Sequence, residues 1–288
     1  MAITAKQVKE LRDKTGAGMM DCKKALVEAD GDFDKAIEIL RKKGAAVAAK
    51  RAERSAKEGI VLTKILDNNS KGIILEINCE TDFVAKSDDF VNFANSVMNT
   101  IVEQAPETLN ELLEAENEGR KIKDTLLDIT GKIGEKIEIS RFAIENAENG
   151  VVVDYVHHGS KLGVLVTVDN TNDEGKEFIP TIKDFAMQVA AMKPIYVYRE
   201  EVPVEVIEKE KEIYKEVARK EGKPEQILER IAEGKLNKYF QENCLFEQTS
   251  IKDNTKTVGI IMKELNNKFS TDAKIRLFHR FHISDENK

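Results

Sequence analysis

Apolar residues in the first part of the chain recur at helical spacing and are punctuated by glycine. Ile3, Val8 and Leu11 make one stripe, behind a Thr4…Gln7 pair able to close a capping box. The glycines of KTGAGMM interrupt it. Met19, Met20, Cys22, Leu26 and Val27 make a second stripe that stops at Gly31. Phe33, Ile37 and Leu40 make a third, with Asp32 placed to cap it and Gly44 predicted to lie beyond its end. The pattern predicts a three-helix domain over residues 1–44.

From residue 58 the apolar positions crowd into β-branched runs, and the runs repeat. GIVLTKI opens at Gly59 and GIILEI at Gly72; GVVVDYV opens at Gly150 and GVLVTV at Gly163, the same interval in each pair. NNSKG and HHGSK supply turn chemistry between the runs. Each pair leads to a helical pattern, FVNFANSVM around Phe93 and IKDFAMQVAAM around Phe185. The repeat predicts two related units, 58–136 and 137–201, each an antiparallel sheet covered by helix. IEISRFAI (137–144) reads as an extra strand leading into the second unit. Between the helices, 103–118 holds six glutamates and no basic residue and reads as a solvated helix pair beginning at Pro106. Ile122, Leu126, Ile129 and Ile133 predict one more helix. Residues 202–241 are helical and strongly charged around KEGKP, an antiparallel helical hairpin. Residues 242–288 return to the core through a helix, TVGIIMKEL, and a final strand, IRLFHRFHI. The fold class is α+β: a three-helix domain, a duplicated antiparallel-sheet/helix core and a projecting hairpin arm.

Composition narrows the functional classes. The 288 residues carry 45 Lys+Arg against 52 Asp+Glu, a net charge of −7. That balance argues against a protein that coats duplexes by neutralising phosphates, and against a polybasic membrane binder. Residues 45–57 read as a linker within a basic stretch, where Arg41, Lys42, Lys43, Lys50, Arg51, Arg54 and Lys57 face only Glu53. No aromatic residue is interleaved there to stack bases, so a solvated helix is favoured over a nucleic-acid contact. Cys22, Cys79 and Cys244 stand far apart and suggest a reducing compartment. The chain opens without an apolar signal core, so a cytoplasmic location is expected, with no membrane partner.

Enzyme signatures are missing. The chain has no GxxxxGK[ST] loop, HExxH, CxxC or GxSxG, and GKIGEK (131–136) lacks the spacing of a phosphate loop. His279 and His282 point to opposite faces of a strand, and His157–His158 sits at a hairpin turn. No catalytic residue, metal site or cofactor is expected. Two segments carry more information. In LRDKTGAGMMDCKKAL (11–26) the paired methionines either pack the small core or leave one side chain outward as an adaptable binding residue. In EINCETDFVAKSDDF (76–90) either Asp82 caps the next helix and Phe83 plugs the seam below it, or Phe83 is an exposed wedge beside a carboxylate. An unburied Phe forgoes ~1.5–3 kcal/mol.

Together LRDKTGAGMMDCKKAL and INCETDFVA resemble the two signature stretches of the elongation factor Ts family, guanine-nucleotide exchange factors for elongation factor Tu in bacteria and organelles. The order of elements agrees over nearly the whole chain, including the GKP-turned hairpin and the KTVG helix. The resemblance implies that Thr81, Asp82, Phe83 and Val84 enter the partner GTPase near its Mg²⁺. It implies that Arg12, Met19, Met20 and Lys23 touch the partner's nucleotide-binding domain, that His158 also faces the partner, and that Ile251 is a weaker contact. The chain ends near its final strand, so nothing is carried over from the terminal helical module of some members. Other classes remain open from the residues alone: RNA or ribosome binding through 41–57, a cleft enzyme using His157 or His158, and an adaptor built on the three-helix domain, which is similar in size to ubiquitin-associated domains.

Overall fold

The structure, a computed structural model, describes residues 3–51 and 53–285. Its first three helices are α1 (Ala5–Thr15), α2 (Met19–Glu28) and α3 (Phe33–Arg51). The Thr4–Gln7 capping box is formed, and Gly16 ends α1 in the left-handed conformation at φ 66°. Val8, Leu11, Cys22, Ala25, Leu26 and Ala36 make a small core. The third helix does not stop at Gly44 but runs on to Arg51, so the first half of the linker is helical. Gly44 is instead buried where α3 crosses the helix Ile122–Ile133. A Cβ on Gly131 of that helix would stand 2.7 Å from the Gly44 Cα. Here glycine allows backbones to touch rather than ending a helix.

The first copy begins with β1 (Glu58–Leu66) and β2 (Lys71–Cys79), then α4 (Asp82–Ala85), α5 (Asp88–Gln104) and α6 (Leu109–Glu114). The acidic stretch therefore forms one short helix, not a pair. It continues into a two-residue ribbon, β3 (Glu116–Asn117) and β4 (Arg120–Lys121), turned by Glu118 and Gly119 at positive φ. The Asn117 amide draws the ribbon onto α5 by donating to Ser96 and Thr100. Next come α7 (Ile122–Ile133) and β5 (Ile137–Asn146). This strand does not lead into the second copy. It pairs antiparallel with β2 and completes a sheet of order β1-β2-β5.

The second copy repeats the plan with β6 (Val151–Val156), β7 (Leu162–Asp169) and α8 (Gly175–Met192). An arm of α9 (Val204–Lys220) and α10 (Glu225–Asn243) intervenes. Then α11 (Val258–Phe269) and β8 (Lys274–His282) close a sheet of order β6-β7-β8. Both third strands follow long inserts, which hides their equivalence. The middle strands carry bulges at matching places, between Glu76 and Ile77 and between Thr167 and Val168.

The sheets pack on each other through a reciprocal seam. Val61, Ile74, Val152 and Leu165 form its centre, flanked by Phe281 and Ile283. A Cβ on Gly72 would overlap Val152, and one on Gly163 would overlap Val61. Each copy presents a glycine to the other's valine, as in a two-fold interface. The outer faces are covered by α5 in the first copy and by α8 and α11 in the second. Among the described residues no helix is long and apolar enough to cross a membrane.

Candidate partner-binding site

The stretch after β2 is fixed residue by residue. The Cys79 thiol donates to the Thr81 carbonyl at 3.2 Å, and burial pushes its pKa up to about 12, so it is no nucleophile. Glu80 accepts from the Lys136 N–H at 2.6 Å, Arg51 at 2.9 Å and Arg54 at 3.1 Å. Burial raises the Glu80 carboxyl, but these donors outweigh it and hold its pKa below the usual range. Two arginines of the basic linker are thus committed to this loop. Thr81, not Asp82, caps α4, its hydroxyl accepting from the Val84 N–H at 3.4 Å. The same residue gives its N–H and its hydroxyl to the two oxygens of Glu135, at 3.0 and 2.8 Å.

Held this way, the single turn of α4 separates its side chains. Val84 packs against the first copy's core and Ala85 is buried. Asp82 pairs with Lys86 at 2.9 Å, and this contact lowers its pKa, helped by the charge of Lys161. Phe83 is 83% exposed. It does not plug the seam between sheet and helix; Phe90 and Phe93 of α5 fill that core. A rigid turn that presents a bare phenyl ring is suited to entering a pocket on another molecule.

The His158 turn belongs to the same neighbourhood. His158 is exposed at the tip between β6 and β7. Beside it the Ser160 carbonyl accepts from the Val61 N–H at 2.6 Å, and Lys161 pairs with Glu58 at 2.6 Å. The second hairpin is thereby stitched to β1, with Lys161 close enough to influence Asp82.

On the small domain both methionines are outward, Met19 44% and Met20 64% exposed, so neither is core. Met20, Lys23, Lys24, Val27 and Glu28 line an open groove of about 280 Å³. Arg12 and Lys23 are exposed. The loop before Met19 lies against the main body: Gly16 abuts the Lys132 side chain, and Lys132 donates to Asp89 at the start of α5 at 2.7 Å. Ile251 lies elsewhere, 44% exposed, its N–H donating to Gln188 of α8 at 2.7 Å.

The other candidates of the sequence have local partners. His157 bonds the Tyr155 hydroxyl at 2.8 Å, and His279 bonds Glu145 across the two sheets at 2.7 Å. Among the described residues no group of three or more His, Cys, Asp or Glu is placed to hold a metal ion. Glu80 and Glu135, which build the loop, carry no mark of their role among 52 acids; the one local signal is that GKIGEK ends an apolar helix just before a strand.

Comparison with known proteins places the chain in a family. The family model described as Elongation factor TS matches residues 80–285. The chain is 50% identical over 285 residues to Elongation factor Ts of Chlorobium phaeobacteroides, covering 98% of both chains. It is 45% identical to that of Chloroherpeton thalassium, covering 99% of both. It is 43% identical to that of Clostridium botulinum (strain Langeland), covering 97% of this chain and 92% of the relative. The chain therefore belongs to the elongation factor Ts family of translation elongation factors.

Proposed function

We propose that this chain is a guanine-nucleotide exchange factor that binds elongation factor Tu in its GDP-bound and nucleotide-free forms and promotes replacement of GDP by GTP. The observation that carries the reading is the exposed Phe83 on a turn whose start is clamped by Glu80 and Thr81. Family membership supports the choice of partner.

A GTPase holds GDP through backbone N–H groups around the phosphates and through Mg²⁺. In this reading Thr81–Val84 enters beside the partner's metal, with Phe83 as a wedge and Asp82 perturbing the metal's surroundings. Met19 and Met20 dock on the nucleotide-binding domain, with Arg12 and Lys23 adding charge complementarity. His158 adds a contact beside the wedge, and Ile251 a weaker one in the second copy. A factor that favours the nucleotide-free state weakens nucleotide binding, and nucleotide weakens the factor by the same coupling. Incoming GTP or GDP then expels it. The chain hydrolyses nothing, and it works in the cytoplasm without a membrane or nucleic-acid contact.

The test is release of fluorescent GDP from elongation factor Tu, followed against factor concentration for wild type and Phe83→Ala at two Mg²⁺ levels. Phe83→Ala is expected to fold normally and to lower the stimulated rate several-fold, at least ~1 kcal/mol of barrier. Mg²⁺ is expected to inhibit the wild type. A folded Phe83→Ala that exchanges at the wild-type rate would remove the wedge.

A further inference from the structure

The loop that carries Phe83 is held from outside its own hairpin and helices. Glu135 lies between α7 and β5, one residue after Gly134, which ends α7 in the left-handed conformation at φ 78°. It is half-buried, and both carboxylate oxygens are directed at one residue: Oε2 accepts the Thr81 N–H at 3.0 Å and Oε1 the Thr81 hydroxyl at 2.8 Å. Both contacts require an acceptor. A carboxylate offers two; a glutamine side chain offers one, and its NH₂ would then oppose a donor. The Thr81 hydroxyl, oriented by Glu135, is also the cap of α4. The carboxylate therefore sets the backbone entry of the turn on which Phe83 stands.

The position of Glu135 adds a second role for the same contact. Helix α7, which delivers it, is the helix that α3 crosses at Gly44 and Gly131. Lys132 of α7 also abuts Gly16 in the loop before Met19. One helix thus packs on α3 and on the loop before Met19, and it ends just before the residue gripping Thr81.

We propose that Glu135 is a positioning residue for the exchange reaction: it presents Phe83 by clamping Thr81, and it ties that presentation to the helix on which the small domain is seated. This rests on the reading of 81–84 as the element that acts on the GTPase. Glu135 itself touches neither partner nor nucleotide in this proposal.

The test uses the full chain with Glu135→Gln, read in two ways. In the free protein, amide hydrogen exchange at Thr81 is expected to quicken on the order of tenfold with the global melting transition unchanged, because one charge-assisted acceptor is lost. With elongation factor Tu, the maximal GDP-release rate is expected to fall several-fold, while the half-saturating factor concentration stays near wild type because the docking contacts lie elsewhere. A double-mutant cycle with Thr81→Val is expected to be clearly non-additive. Glu135→Asp, which keeps the charge but withdraws it, is expected to loosen Thr81 in the same direction and covers a Gln variant that folds poorly. Unchanged Thr81 protection and unchanged rates in folded Glu135→Gln and Glu135→Asp proteins, beside an impaired Phe83→Ala, would overturn the proposal. If Thr81 loosens but Phe83→Ala exchanges GDP normally, the clamp stands and the function assigned to the stretch falls.

Discussion

The two copies of the core have the same hairpin, the same bulge and the same crowded glycines, yet after the middle strand only the first turns a bare phenyl ring outward among the described residues. After β2 the chain is gripped by Glu80 and Glu135 and turns outward through Phe83. After β7 the equivalent stretch folds inward. Thr171 is buried with its hydroxyl on the Asn149 carbonyl, Gly175 abuts Val151, and the following Phe178 is core. The middle strands differ in the same spirit. Glu76 at the first bulge is fully buried and faces Arg141 across the ladder, which donates to it at 2.8 Å. Thr167 at the second bulge faces Leu277, and its buried hydroxyl has no partner among the described residues. A duplicated fold supplies two scaffolds, and here the copies differ in the loop and the buried polar groups that each carries.

The largest expected effect comes from breaking that contrast at the bulges. Glu76→Ala takes one carboxylate from Arg141, which keeps Asp285 at 2.9 Å, and leaves a cavity beside it; the expected cost is about 2–3 kcal/mol by urea denaturation. Thr167→Val at the matching place removes an unpaired hydroxyl and is expected to be neutral or stabilising by up to ~1 kcal/mol. Similar losses at both sites would mean that the bulges are equivalent after all.

The seam is where the copies should behave alike. Gly72→Ala and Gly163→Ala are each expected to cost about 1–3 kcal/mol through overpacking. Val152→Ala should offset only the first, and Val61→Ala only the second. Rescue by the wrong valine in melting experiments would contradict the reciprocal packing.

The inserts should separate again. The helices of the arm pack mainly on each other and on the short turn Leu245–Glu247. Shortening α9 and α10 equally, with GKP kept as the turn, is expected to leave GDP release within about twofold, under ~0.5 kcal/mol. The first copy's insert ends on Glu135 and has no such freedom. Loss of nearly all activity in a folded short-arm variant would make the arm a primary contact.

The smallest effect is a titration inside that first insert. Glu114 accepts from Lys121 at 2.8 Å and Lys123 at 2.5 Å, and these contacts lower its pKa to about 2. A depressed carboxylate stabilises the fold above its ordinary value of 4.5 and loses that contribution as pH falls toward about 2. The side chain is exposed to solvent, so the gain is slight. Carbon-detected NMR should find it charged at pH 3.5; an ordinary midpoint would mean that the lysines are free in solution.

Much of this architecture was legible in the residues, for identifiable reasons. The glycine intervals exposed the duplication because both seam glycines must stay bare. The helices of the arm and the small domain followed from apolar spacing. The apolar pattern ends α3 too early because glycine inside a helix and glycine beyond one look alike until the crossing partner at Gly131 is known. Position along the chain suggests the second copy for β5, which belongs to the first, because pairing across long inserts leaves no local trace. Phe83 could be a plug or an exposed ring from spacing alone; its exposure rules out the plug. Glu135 lies 54 residues from the threonine it holds, and one glutamate among many carries no mark of such a distant contact.

The meeting of Gly44 and Gly131 has a mechanical consequence. Where helices cross through long side chains, rotamer changes act as a compliant layer and let one helix rock on the other. Two glycines remove that layer, so backbone rests on backbone and interiors of this density transmit strain with little give. A push on the groove of α2 would cross the apolar core to α3 and then pass into the frame of α7 with hardly any side chain at that crossing to absorb it. The crossing makes the small domain and the Thr81 clamp parts of one stiff load path, and a methyl group inserted there would act as a shim.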